Sequence, residues 1–346
     1  MNYNRAGGCS GNVSVNPPAN SFPKQNRNKK PGGRSGLKLE RSFSPKTEPP
    51  EVLSSEEIGE LLSRSYIDAK TMQAGQFIDT AGYEHAKRYL PKSGVRSLRR
   101  AHNLMLFDIE YQSIILKYIG FFELAFRARY SREMAELRGP FSHRDPSNFI
   151  DLGHFDGFLS NYATELSRAT SNKGPMRDAY RTFGDLPIWK AVEIMSLDTL
   201  SKLYRNTKSR AVKKNVASAF GVDTAVLASW LRTLTLTRNQ CAHFGKLVGT
   251  SLTSQPKKID GVCLSTSSHF YTVLILIRLL HEVATFDDDP TLNHDMLLIG
   301  DVSNLIHRKD ETATDAGIPF NWKTVMKQTC EGMGVDLTFN EKKRPI

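Results

Sequence analysis

At 346 residues the chain is long enough for one large domain or two ordinary ones. Its four cysteines (Cys9, Cys241, Cys263 and Cys330) form no C-x-x-C pair, which argues against a zinc site or a disulfide framework. The longest apolar run, from Tyr271, is broken by Arg278 and is too short to span a bilayer.

Charge is unevenly spread. Seven of the eleven net positive charges fall in residues 1–50, a stretch rich in Asn, Gly, Ser and Pro with almost no apolar periodicity. Such a composition predicts a disordered basic tail, either a sticky arm for nucleic acid or a solubilising extension. It lacks the apolar centre of a secretory signal, and a cytoplasmic protein with no membrane contact is expected.

From about residue 50 the pattern turns helical. Ser54-Ser55-Glu56-Glu57 opens a helix in capping-box style, with Ile58, Leu61 and Leu62 on one face. Helices are expected near Ala69–Thr80 and over Gly82–Leu90, the latter stopped by Pro91. The longest spans roughly 103–136, because Leu104, Phe107, Ile114, Ile115, Tyr118, Ile119, Phe122 and Phe126 recur at spacings of three and four; Gly139-Pro140 ends it. A loop to about 150 precedes a helix near 151–169. Leu186-Pro187-Ile188-Trp189 restarts helix with apolar positions through Tyr204, and a basic stretch follows (Lys202, Arg205, Lys208, Arg210, Lys213, Lys214). Further helices are expected near 224–245 and 266–285. Strand signals are almost absent, so the class is all-α, a helical bundle with appended helices.

The 224–245 helix contains Leu236-Thr237-Arg238-Asn239-Gln240-Cys241-Ala242-His243-Phe244. On a helix, residues five apart lie about 140° round the axis and about 7.5 Å along it. Asn239 and His243, four apart, share a face. Arg238, Asn239 and His243 thus offer a guanidinium, an amide and an imidazole to one ligand. Arg grips phosphate oxygens as a fork and His moves protons near neutral pH, a pairing suited to cutting RNA without metal. The same spacing at Arg138-Gly-Pro-Phe-Ser-His143 is read as a decoy, since Gly139-Pro140 forbids a continuous helix there.

Several blocks, in order over about 55–325, resemble the Abi-like (abortive infection) proteins of the HEPN superfamily. They are Phe107-Asp108-Ile109-Glu110, then Glu123 with Arg127, Pro187-Ile188-Trp189 with Glu193, Ser229-Trp230-Leu231, Arg238-Asn239 with Ala242-His243, and Gly317-Ile318-Pro319-Phe320-Asn321-Trp322. Phe244-Gly245-Lys246-Leu247 departs from the Arg or Trp-Asn that often follows the family's His. The resemblance implies a HEPN-type helical fold and a metal-independent endoribonuclease acting as a toxin in phage defence or growth arrest. It also implies an active site shared across a homodimer.

In that chemistry the ribose 2′-hydroxyl attacks the neighbouring phosphate, which needs a base, charge stabilisation at phosphorus and an acid for the leaving oxygen. His243 supplies a proton-transfer role, Arg238 stabilises the phosphorane, and Asn239 orients the His or donates to a phosphate oxygen. One His does not fill both proton roles comfortably, so two copies facing each other are expected. Lys246 either holds a phosphate or is merely solvated, and Lys213 and Lys214 are candidates for guiding the RNA backbone. Glu123 and Arg127 form an intrahelical pair or brace the active-site helix. Asp287-Asp288-Asp289 reads as a solvated turn rather than a metal site. No cofactor or metal is called for.

The expected layout is a basic tail over 1–50, one all-α domain over 51–325 and an extension over 326–346. RNA is the expected partner, with an RNA or protein antitoxin as a further one. The competing reading is a catalytically silent HEPN protein that holds RNA or a partner.

Overall fold

In the computed structural model the described residues are 72–90 and 97–339, without 172–173, 175 and 286–288, together with Ser54, Glu57 and Ile58; only the backbone is described for residues 72–74. The basic tail, Leu61, Leu62, Pro91, Asp287, Asp288 and residues 340–346 lie outside them.

The described residues form thirteen α-helices and no strand: α1 (Met72–Ala81), α2 (Tyr83–Ala86), α3 (Leu98–Arg138), α4 (Leu152–Ala169), α5 (Arg177–Phe183), α6 (Ile188–Ile194), α7 (Leu197–Asn206), α8 (Arg210–Ser218), α9 (Thr224–Ala242), α10 (Phe270–Leu280), α11 (His294–Arg308), α12 (Asp310–Asp315) and α13 (Trp322–Glu331). The fold is all-α. The capping box at Ser54 forms as expected: the Ser54 N–H donates to Glu57 Oε2 at 2.7 Å and the Glu57 N–H to Ser54 Oγ at 3.3 Å.

α3 is the central helix of the described residues. Ser97 caps its start by accepting from the Arg100 N–H at 3.3 Å, and Gly139, at φ 90°, ends it. Phe107, Tyr111, Ile115, Tyr118, Phe122, Phe126, Tyr130 and Met134 run down its buried side at the spacing of a core stripe. Leu104 and Ile114, expected in that stripe, flank it half-buried. α1, α2, α6, α7, α8, α9, α10, α11 and α12 all pack on α3.

α10 is buried on nearly every side, with Phe270–Ile277, Leu279 and Leu280 all buried and Arg278 alone partly exposed, because α3, α9, α11 and α13 surround it. α13 therefore packs into the core through α10, and the boundary expected at 325 falls inside this helix.

The helix expected from Leu186 to Tyr204 is two helices. Met195 is extended (ψ 142°), and Ser196 restarts helix by accepting from the Thr199 N–H at 3.1 Å. Past the non-helical link at residues 207–209 the basic stretch turns helical again: Ser209 caps α8 through the Val212 N–H at 3.3 Å. No helix among the described residues is long and apolar enough to cross a membrane.

Candidate functional site

Arg238 and Asn239 sit in the last turns of α9, and His243 is the residue at which that helix stops. The helix expected to reach 245 ends at Ala242. His243, at φ −104° and ψ 16°, is its C-cap, and its N–H still bonds the Asn239 carbonyl at 3.1 Å. The next residue, Phe244, has φ 50°, the one positive φ outside glycine among the described residues.

The Phe244 N–H donates to the Cys241 carbonyl at 3.0 Å, and the Gly245 N–H reaches back to the Gln240 carbonyl at 2.7 Å. These two bonds make a Schellman turn with Phe in the left-handed place that Gly usually takes, at a cost of about 1–2 kcal/mol. Gly245 fills the crowded place instead: a Cβ there would lie 2.8 Å from Gln240 Cγ and 3.1 Å from its carbonyl oxygen. His243 and Phe244 are thereby turned outward, Phe244 as a residue 60 % exposed.

The chain leaving this turn is clamped to α3. Asp108 is fully buried and accepts three hydrogen bonds, from Tyr89 Oη (2.8 Å), the Leu247 N–H (3.1 Å) and the Val248 N–H (3.3 Å). Gln112, one turn on, donates to the Gly245 carbonyl at 3.2 Å. Arg88 donates to the Phe244 carbonyl at 3.4 Å, and Lys246 Nζ donates to the Arg88 carbonyl at 3.0 Å while lying 5.2 Å from the Tyr89 ring centre. Burial pushes the Asp108 carboxyl above its ordinary range, with its hydrogen bonds pulling the other way. Burial also pushes the Cys241 thiol up to about 12, so it is no nucleophile at neutral pH.

Arg238, Asn239 and His243 are thus brought to one helix end. Arg238 Nη1 donates to Asn239 Oδ1 at 3.4 Å, and among the described residues neither Arg238 nor His243 enters an ion pair. Both are exposed. The arrangement can grip a phosphate and exchange a proton with it.

The candidate phosphate-binding lysines fare differently. Lys246 is engaged by the Arg88 carbonyl. Lys213 is half-buried, its Nζ 3.4 Å from the Arg205 carbonyl, and burial lowers its pKa; Lys214 is exposed on α8. Sequence reasoning did not find the Asp108–Leu247–Val248 clamp.

The decoy is buried. His143 is inaccessible, its ring edge-on to Tyr162 at 5.2 Å with neither ring nitrogen hydrogen-bonded, and burial lowers its pKa to about 4. A folded-state pKa below the unfolded value of about 6.5 means the unfolded chain binds the extra proton. The stability His143 confers is whole above about 6.5 and drains away as pH falls toward 4. His143→Phe keeps the edge-on contact and removes the titration. We expect it to be about 2 kcal/mol more favourable relative to wild type at pH 5 than at pH 7.5 in urea unfolding. An equal effect at both pH values would refute this.

The model of the Abi-like protein family matches residues 68–248, slightly more than half of the chain. The match closes on Val248, the last residue bound by Asp108. The chain belongs to the Abi-like protein family. No curated protein and no solved structure matches it.

The blocks of this Abi-like protein have legible structural work. Arg127 pairs with Glu123 on α3 and donates to the Val192 carbonyl and, at 2.7 Å, to the Met195 carbonyl. It therefore caps the carboxyl end of α6, where a cation meets the negative end of the helix dipole. Ser229 Oγ accepts from the Lys257 N–H at 2.9 Å and Trp230 Nε1 donates to the Lys257 carbonyl at 2.8 Å, so the pair pins the segment after the site to α9. Beyond the matched span, Gly317, at φ 74°, sits where a Cβ would meet Gly249 at 3.8 Å, and Trp322 packs edge-on to His307.

Proposed function

We propose that this protein is a metal-independent endoribonuclease of the abortive-infection type, a toxin with a HEPN-type active site at the end of α9. The observation that carries this reading is the pair of exposed side chains Arg238 and His243, neither in an ion pair among the described residues, on a turn held from beneath by buried Asp108. The Arg–Asn–His set supplies phosphate binding and proton transfer, and the nearby carboxylate is turned inward, its oxygens taken by Tyr89 and two backbone N–H groups.

The 2′-hydroxyl attacks phosphorus while an imidazole takes its proton. Arg238, with Asn239, holds the charge that builds on the phosphoryl oxygens, and a second imidazole protonates the leaving 5′-oxygen. A twofold homodimer supplies that second His243. The exposed Phe244 ring offers a stacking face for a base beside the scissile phosphate. The cytoplasm, where RNA lies, is the place of action, with an RNA or protein antitoxin covering the site until it is needed.

Incubation of the pure protein with total RNA in EDTA tests the reading. The expected result is cleavage leaving 2′,3′-cyclic phosphate ends, with single-stranded DNA uncut. RNA bound but uncut would leave the silent-binder reading standing instead, and cleavage that EDTA stops would overturn the mechanism.

A further inference from the structure

A cleft of about 510 Å³ lies at the far end of α3, lined by Arg138, Ser147, Asn148, Lys208, Ser209, Arg210 and Ala211. Three of these residues are cations and none is acidic. Arg138, Lys208 and Arg210 are exposed, and none of them enters an ion pair among the described residues. Cations of this kind normally find a carboxylate or spread apart; three around one hollow repel one another unless an anion joins them.

The cleft is built, not incidental. Tyr130, two turns before Arg138 on α3, bonds Thr207 through its hydroxyl at 2.9 Å in the buried core. The Lys208 N–H donates to the Asn148 carbonyl at 2.8 Å, and the Ile150 N–H to the Asn206 carbonyl at 2.9 Å. Asn148, itself buried, donates its side chain to the Ser142 carbonyl at 3.0 Å. These bonds fasten the segment carrying Lys208 to the loop that follows Arg138. The loop carboxylate Asp145 caps the Ser147 N–H at 2.9 Å and is not among the residues that line the hollow. Lys214, one turn after Arg210 and exposed, continues the cationic strip along α8.

Position excludes a share in the site already described. Asp108, which holds the turn after His243, and Arg138 are thirty residues apart on one helix, about 45 Å at 1.5 Å per residue. The lining includes no aromatic ring to stack a base, so what binds is held by charge and hydrogen bonds rather than by stacking.

We propose that this cleft docks the phosphate backbone of single-stranded RNA at a distance from the scissile bond, holding a long substrate whatever its sequence. The proposal rests on the ribonuclease reading for its ligand, but its test does not require cleavage. A labelled 20-nucleotide RNA is titrated by anisotropy against the full chain carrying His243→Ala, with and without Arg138→Ala, Lys208→Ala and Arg210→Ala together. All three side chains are exposed, and an unchanged melting temperature checks the fold.

Loss of the three cations is expected to weaken binding about tenfold. It should also flatten the slope of log K against log salt by about 2, since each phosphate neutralised on a single strand contributes about 0.7. Removing Lys257, Lys258 and Lys327, exposed cations elsewhere, should do much less. Equal loss from both triple variants, or none from the cleft variant, would overturn the proposal while leaving the nuclease assay untouched. So would a nucleoside triphosphate that binds in the cleft when RNA does not.

Discussion

Replacing His243 with alanine is expected to lower RNA cleavage by at least a thousandfold while leaving the melting temperature within a degree or two of wild type. The two expectations come from the same geometry. His243 is the C-cap of α9, and what holds the turn is backbone: its own N–H to the Asn239 carbonyl and the Gly245 N–H to the Gln240 carbonyl. The imidazole is exposed and hydrogen-bonds nothing among the described residues, so its removal leaves no buried partner there unsatisfied.

Its chemical role is another matter. A positioned acid or base contributes about 10²–10⁴ in rate, and a twofold site loses both proton-transfer groups at once. Arg238→Ala should cost about 10²–10³, the range for one donor that meets developing charge, and the double variant should fall little further because the groups act together. Mixing His243→Ala chains with wild type offers a stricter check. If each site takes one His from each chain, activity follows the square of the wild-type fraction after subunits have exchanged. A linear decline would sink the shared site, and His243→Ala retaining more than a tenth of the activity would sink the role of His243.

How much of this was legible in the chain differs element by element. The course of α3 could be read because its buried stripe from Phe107 to Met134 repeats at three and four, and because Gly139-Pro140 cannot continue a helix. The break at Met195 could not, because apolar positions run through it without interruption. The interruption comes from Arg127, some 65 residues earlier, which takes the carbonyls of Val192 and Met195. α9 ends three residues short of the expected 245 for a related reason. A Schellman turn is read from Gly in its left-handed position, and here Phe244 occupies that position with Gly245 behind it.

Within the site, Arg238, Asn239 and His243 announce themselves by residue type and spacing. The clamp beneath them does not. Asp108 binds backbone N–H groups 139 and 140 residues away, and backbone donors carry no sequence signal. The lysines illustrate the converse: Lys246 and Lys213 look free in the sequence, yet each ammonium is turned onto a backbone carbonyl.

That clamp gives the largest expected effect on stability. Asp108→Ala should destabilise the protein by about 4 kcal/mol, because it strands three donors at once (the Tyr89 hydroxyl and the Leu247 and Val248 N–H groups) at about 1–3 kcal/mol each. Partial hydration of the vacated space offsets some of that sum. For a domain of this size the melting temperature should drop by about 10 °C.

Asp108→Asn separates acceptor from charge. One amide oxygen still accepts, but its NH₂ faces an N–H donor, so the variant should fall between alanine and wild type. Its pH dependence has a definite sign. Burial raises the folded-state pKa of Asp108, so ionising the group opposes folding as pH climbs from the unfolded value of about 3.9 through the raised one. Asn does not titrate there, so its deficit relative to wild type should be greatest at low pH, where the wild-type carboxyl is protonated without penalty, and should shrink as pH rises toward neutrality. The turn should loosen before the core does, since Leu247 and Val248 lose a carboxylate acceptor while the bonds from Gln112, Arg88, Gln240 and Lys246 hold only residues 244–246. Amide exchange at Leu247 and Val248 should therefore quicken more in Asp108→Asn than exchange along α10. A uniform change across the chain, or a loss under 1 kcal/mol in Asp108→Ala, would show that the buried carboxylate does not hold the turn after His243.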